Sequence, residues 1–291
     1  MEFALYLDNI YDFKEKTKFY FQEIHKNINK NRYLFLLNKI DNLKFSRLYF
    51  GSEFCERLIP TTKELEKVIN FCKKNKINLT FMTPIITDDP YIENFKKIFK
   101  VINDSNLEKK EVIFNDWGVF RLLKKFSNLD LVLGRFLTKQ KKDPSFIEDL
   151  FNKNFLNLDN ETQDIIKKST IDTTELLKKF LKKNDILRAE FDNVYQGINI
   201  DSDIKKTLYY PFVPVCLTRL CKAHSYVTKK PYIRGKNECM KECKYTSYTY
   251  SINNVHMFLK GNVQFYCNNH LPKNIHEFDR IVFEPFEFKL I

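Results

Sequence analysis

Short runs of β-branched and aromatic residues alternate with helical patterns through the first two-thirds of the chain. The runs Phe3–Leu7, Arg47–Phe50, Leu79–Thr83, Glu111–Phe114, Leu129–Leu133, Leu187–Asp192 and Tyr209–Val215 have the length and composition of strands. Between them, Thr62 opens a helix with a capping-type start. Its apolar positions Leu65, Val68, Ile69 and Cys72 recur at helical spacing, which puts Cys72 on the buried face. Pro90 opens a second helix running through Phe95, Ile98 and Phe99, and Gly118 through Phe126 reads as a third. Strands alternating with helices predict a parallel sheet covered by helices, and seven or eight strands predict closure into a TIM-barrel-like α/β fold.

After Val215 the texture changes. Cys216 to Cys243 has no clean period, and three β-rich segments follow at Tyr245–Ser251, Val255–Leu259 and Val263–Cys267. Asn253-Asn254 and Gly261-Asn262 supply turns, so a small meander is predicted there. With no internal repeat and no low-complexity linker, residues 1–291 read as a single α/β barrel domain. Residues 216–243 form a site-building loop region, and a small β-rich segment ends the chain.

The formal net charge of +12 invites a nucleic-acid reading, because clustered basic residues attract phosphate. Only nine of the 49 basic residues are Arg, however, and Lys, Asn, Ile and Phe are enriched together, which points to a coding bias rather than a binding face. No stretch approaches the ~20 apolar residues that cross a bilayer. The opening MEFALYLDNIYDFKEK lacks a basic segment followed by a long apolar one, so a cytoplasmic location is expected.

Seven cysteines in a reducing compartment are available for metal binding or chemistry. Cys239 and Cys243 form a C-x3-C pair in an irregular polar segment, with Cys221 upstream. Thiolates that close can share one metal centre, and zinc and iron–sulfur sites both use sets of four, so spacing alone does not separate them. A fourth ligand must come from elsewhere. Cys55 follows a candidate strand, and loops after strands form the functional face of a parallel barrel. Cys72 and Cys267 read as core or strand residues, whereas Cys216 is an alternative ligand.

Five segments then carry a resemblance: YFGSEFCER from Tyr49, NDWG from Asn115, GRFLTKQKKDP from Gly134, EFDNVYQG from Glu190 and TRLC from Thr218. Their order resembles the peptidase U-thirty-two (collagenase-like) family, most of all its short UbiV-type iron–sulfur members. The resemblance implies a TIM-barrel-like fold and a 4Fe–4S cluster on Cys55, Cys221, Cys239 and Cys243. It also implies oxygen-independent hydroxylation of a small aromatic or quinone precursor together with a paralogous protein partner of UbiU type. The interval between Cys221 and Cys239 is longer here than in those relatives. The glutamate–histidine–glycine–cysteine signature of the peptidase-annotated relatives is missing, which argues against proteolysis.

The remaining motif residues have alternative roles. Asn115-Asp116 either contacts substrate or caps the following helix through Asp116, and capping is favoured. Gly134-Arg135 with Lys139 and Lys142 either binds an anionic substrate at the barrel mouth or forms a solvated basic loop. Glu190 and Asp192 share one side of their strand and suit ion pairing with Arg135 or Arg219 better than acid–base work. Two other functions compete: an RNA-modifying (hydroxylating) enzyme, which the basic charge suits, and a non-catalytic cluster-bearing subunit.

Overall fold

The computed structural model describes residues 1–7, 45–86, 90–142, 158–230, 239–244, 246–252 and 255–286. Among these, β1 (Glu2–Leu7), β2 (Arg47–Gly51), β3 (Asn78–Met82), β4 (Lys110–Phe114), β5 (Asp130–Leu133), β6 (Arg188–Asp192) and β7 (Lys205–Tyr210) run side by side in parallel. The predicted strand Tyr209–Val215 is in fact two strands. β7 ends at Tyr210, and β8 (Phe212–Leu217) leaves the barrel after Pro211. Proline has no N–H to give a ladder, which suits it to the break.

β8 begins a four-stranded antiparallel sheet, ordered β8-β11-β10-β9, with β9 (Ser247–Ile252), β10 (Val255–Lys260) and β11 (Val263–Cys267) forming the predicted meander. Tyr245 and the Asn253-Asn254 turn lie outside the described residues. The chain then returns as β12 (Arg280–Phe283), absent from the predicted set, which pairs in parallel with both β7 and β1 and closes the eight-stranded barrel. Glu2 lies opposite Arg280 on one side of β1 while Ala4 lies opposite Arg47 on the other, the stagger a closed barrel requires.

The helices sit where local chemistry puts them. Thr61, one residue before the predicted start, caps the helix Thr62–Asn75: its hydroxyl accepts from the Glu64 N–H, and the Glu64 carboxylate accepts from the Thr61 N–H. Leu65, Val68, Ile69 and Cys72 are buried, as predicted. A second helix spans Pro90–Asn103, and a third, Trp117–Leu123, is capped by Asp116, whose carboxylate accepts from the N–H groups of Gly118 and Val119. Among the described residues no helix is long and apolar enough to cross a membrane.

Alternation along the strands aims Ala4, Tyr49, Met82, Ile113, Val132 and Tyr209 into the barrel. Below them a charged layer plugs the N-terminal end. Arg280 donates to Glu111, to Glu2 and to the Tyr49 hydroxyl, and Arg47 bridges Glu2 and Thr80. Burial opposes the charge of Glu111, but Arg280 and Arg47 win and hold its carboxyl down at about 2. At the other end the small sheet covers the mouth through aromatic contacts: Phe54, after β2, and Phe286, after β12, both pack edge-on against Phe265 of β11.

Candidate metal centre and barrel mouth

The loop after β2 sets the geometry of both parts of the site. Gly51 has φ +132°, and a Cβ there would fall 2.4 Å from the Met82 carbonyl oxygen, so only glycine fits this turn out of the strand. Next, Ser52 closes a tight turn: its hydroxyl donates to the Cys55 carbonyl at 2.7 Å and accepts from the Cys55 N–H. The three residues so placed face different surroundings. Glu53 turns into the barrel mouth, Phe54 packs under the small sheet, and Cys55 stands half-buried outside it.

In the mouth, Arg135 is fully buried and surrounded by acids. Its Nε and Nη2 grip Glu53 at 3.0 and 2.7 Å, Nη1 reaches Asp192 at 2.8 Å, and Nη2 also reaches Glu284 at 2.7 Å. The guanidinium stacks 3.8 Å from the Tyr209 ring centroid. Burial disfavours its charge, but Glu284, Glu53 and Asp192 more than offset this and hold its pKa well above the ordinary value. The structure therefore assigns Arg135 to internal pairing and not to an exposed anion site. Lys142 pairs with Asp192, whereas Lys139 is exposed.

The other motif segments build the same network. Gln140 accepts from the Asp192 N–H at 2.7 Å and donates to its carbonyl at 3.1 Å, and Gln196 donates to the Lys141 carbonyl. Asn115 donates to the Thr83 carbonyl and accepts from the Phe136 N–H. Asp192 thus meets Arg135, as anticipated, while Glu190 takes a 3.1 Å bond from the Tyr49 hydroxyl.

Three carboxylates, on Glu53, Asp192 and Glu284, face two cations, Arg135 and Lys142. Within this set, burial pushes the Glu284 carboxyl up to about 8 despite the opposing charge of Arg135. Glu190 is likewise pushed up to about 7 by burial, against the pull of Arg280 and Arg188. Glu53 and Glu284 escaped sequence reasoning. The usable signal was a carboxylate flanked by aromatic residues just past a strand end, in Ser-Glu-Phe and Phe-Glu-Pro.

The cysteines gather around the β10–β11 turn. Asn262 in that turn donates to the carbonyls of Phe54 and Thr218 at 3.2 and 3.1 Å, bringing the Cys55 and Cys221 segments together. Cys221 precedes the helix Lys222–Thr228, whose Ala223 N–H donates to the Gly261 carbonyl. Burial pushes the Cys221 thiol up, and nearby Cys55 and Cys239 push it further. Cys221 and Cys243 pack on the same small cluster of Ala223, Tyr248 and Leu259. Gly261, at φ +64°, leaves room for Cys243: a Cβ there would crowd the Cys243 Cβ at 3.2 Å. His224 Nδ1 lies 2.7 Å from Glu242 Oε1, fastening the helix to the turn that carries Cys243.

The other three cysteines stand apart from this group. Cys72 is deep in the helix–barrel core and pushed up to about 12 by burial, and Cys267, at the end of β11, is pushed up to about 12 by burial and Glu284. Cys216 is exposed on β8 opposite Gln264. Among the described residues, no three His, Cys, Asp or Glu side chains close around a single ion. A four-iron cube holds its thiolates at separate corners, so its ligands stand farther apart than those of one ion.

No family model matches the chain, and no curated protein or solved structure matches it. The eight-stranded parallel barrel that the motif resemblance implies is present.

Proposed function

We propose that this chain is an iron–sulfur protein whose 4Fe–4S cluster is held by Cys55, Cys221, Cys239 and Cys243 beside the barrel mouth. The observation that carries the reading is the convergence on one turn. Asn262 ties the segment of Cys55 to that of Cys221, and Cys221 shares a packing cluster with Cys243, four residues after Cys239, so three stretches distant in sequence meet there. Four thiolates are the donor set an iron–sulfur cube takes, and the cube supplies one-electron chemistry when bound.

The activity this best suits, following the motif resemblance, is oxygen-independent hydroxylation of a small aromatic or quinone precursor with a paralogous partner of UbiU type. The chain's own part is to keep Cys55 at a fixed place beside the barrel mouth, through the Glu53-Phe54-Cys55 run and the grip of Arg135 on Glu53 and Glu284. Modification of RNA is the second reading, supported by the net charge of +12. The deciding experiment is anaerobic purification with iron, sulfide and visible absorption measured together. A broad visible band with about four irons and four sulfides per chain is expected. A colourless protein carrying zinc would end this reading.

A further inference from the structure

The surface over the cysteines carries exposed apolar side chains inside a cationic rim. Met240, between Cys239 and Cys243, is 70% exposed, and Leu220, beside Cys221, is 48% exposed. Tyr226 and Val227, on the helix that Cys221 begins, are each 48% exposed. Singly these would be ordinary, but all four lie in the short segments that carry Cys221, Cys239 and Cys243. Arg219, Lys222, Lys229, Lys230 and Lys241, in the same two segments, are all exposed. The only carboxylate among the described residues of 216–230 and 239–244 is Glu242, which is paired with His224. Lys229 lies 4.3 Å from the Tyr226 ring centroid, so the rim and the apolar centre are continuous.

We propose that this face docks an acidic electron-carrier protein, a step that rests on the cluster reading above. The cationic rim selects a negatively charged partner and steers it, and the apolar centre needs a partner that removes it from water. Nucleic acid meets the first requirement and could stack on Tyr226, but it has no counterpart for Leu220, Val227 and Met240, which offer no aromatic face. A carrier seated here lies over the thiols, the place from which one electron passes from its reduced centre to the oxidised cluster. The carrier is the reductant and the cluster the acceptor, with no atom transferred.

The test uses an oxidised plant-type ferredoxin, an acidic [2Fe–2S] carrier, titrated into the full chain under anaerobic conditions. Saturable binding at low salt is expected, weakening by about tenfold or more when salt rises well above physiological strength. Lys222→Glu/Lys229→Glu/Lys241→Glu is expected to weaken it by about tenfold at low salt. Leu220→Ser/Met240→Ser is expected to weaken it at low and high salt alike. Lys179→Glu/Lys183→Glu, remote on another helix, controls for bulk charge and is expected to change little. Equal loss in that control, or no binding, overturns the proposal. So does tight binding of a structured RNA that needs the rim lysines but is indifferent to Leu220 and Met240. Iron and sulfide are measured on the same samples. Binding by an iron-free chain would overturn the electron-carrier role together with the cluster, whereas iron without binding would overturn the docking alone.

Discussion

Arg135 gives Glu284 a 2.7 Å hydrogen bond on one carboxylate oxygen, and the other oxygen of Glu284 is buried with no hydrogen-bond partner among the described residues. The folded protein raises this carboxyl from 4.5 to about 8, so between those values the native state holds a proton that the unfolded chain has released. Stability from this group is fully present below pH 4.5 and is lost as pH rises through about 8. Glu190, raised to about 7, adds to the same trend. Unfolding midpoints in urea are expected to fall from pH 5 to pH 8 in the wild type, and Glu284→Gln is expected to flatten that fall. An unchanged slope in the variant would place the proton elsewhere.

Removing Arg135 leaves Glu53, Asp192 and Glu284 facing one another in a buried site with Lys142 as the remaining cation among the described residues. Arg135→Ala is expected to cost about 3–5 kcal/mol of stability, the usual result of orphaning buried charges. Arg135→Lys is expected to recover only part of it, since an ammonium cannot span three carboxylates in one plane. Equilibrium denaturation of both variants checks this.

Replacing Cys55, Cys221, Cys239 or Cys243 singly with Ala is expected to lower iron content and visible absorbance, since each change deletes an anionic soft ligand. Cys72→Ala and Cys216→Ala are expected to keep both. Full iron in Cys55→Ala, with loss in Cys216→Ala, would assign the ligands differently.

The His224–Glu242 contact predicts a subtler effect. With the helix no longer fastened to the turn bearing Cys243, His224→Leu is expected to keep all four thiols yet lose iron to a chelator about tenfold faster. Chelator-competition kinetics measure this, and wild-type kinetics in the variant would make the contact dispensable.

General basicity is expected to give only weak, sequence-blind RNA binding that disappears near physiological ionic strength, because scattered lysines release counterions without reading bases. A filter-binding salt titration decides the matter. Salt-resistant binding to one structured RNA would favour RNA modification over a small-molecule substrate.

The barrel was legible because seven of its strand regions are short β-branched or aromatic runs separated by helices with clear apolar spacing. The eighth, Arg280–Phe283, is four residues long between Asp279 and Glu284 and offers almost no period. Tyr209–Val215 read as one strand because hydrophobicity continues across Pro211 while the pairing partner changes from β6 and β12 to β11. The proposed ligands rest on spacing and motif, and the turn at Gly261-Asn262 was predicted, but not that the Cys55 and Cys221 segments meet on it, since a Gly-Asn pair announces a turn and says nothing of what packs there. For Arg135 the pairing with Asp192 was anticipated, but its full burial among three acids was not, for a related reason. Its acids arrive from three distant strand ends, and only closure of the barrel brings them together.

That closure has a consequence for how the chain is made. β1 is synthesised first and β12 last of the barrel strands, yet each supplies the other's neighbour, and Glu2 completes the charged plug only when Arg280 arrives. Until then β1 and β7 each present an open edge, and the nascent chain must carry both without sticking to others of its kind. A nascent chain stalled before Arg280 holds seven of the eight barrel strands and no barrel. Such a chain is where quality control, through chaperones or proteases, has its opening.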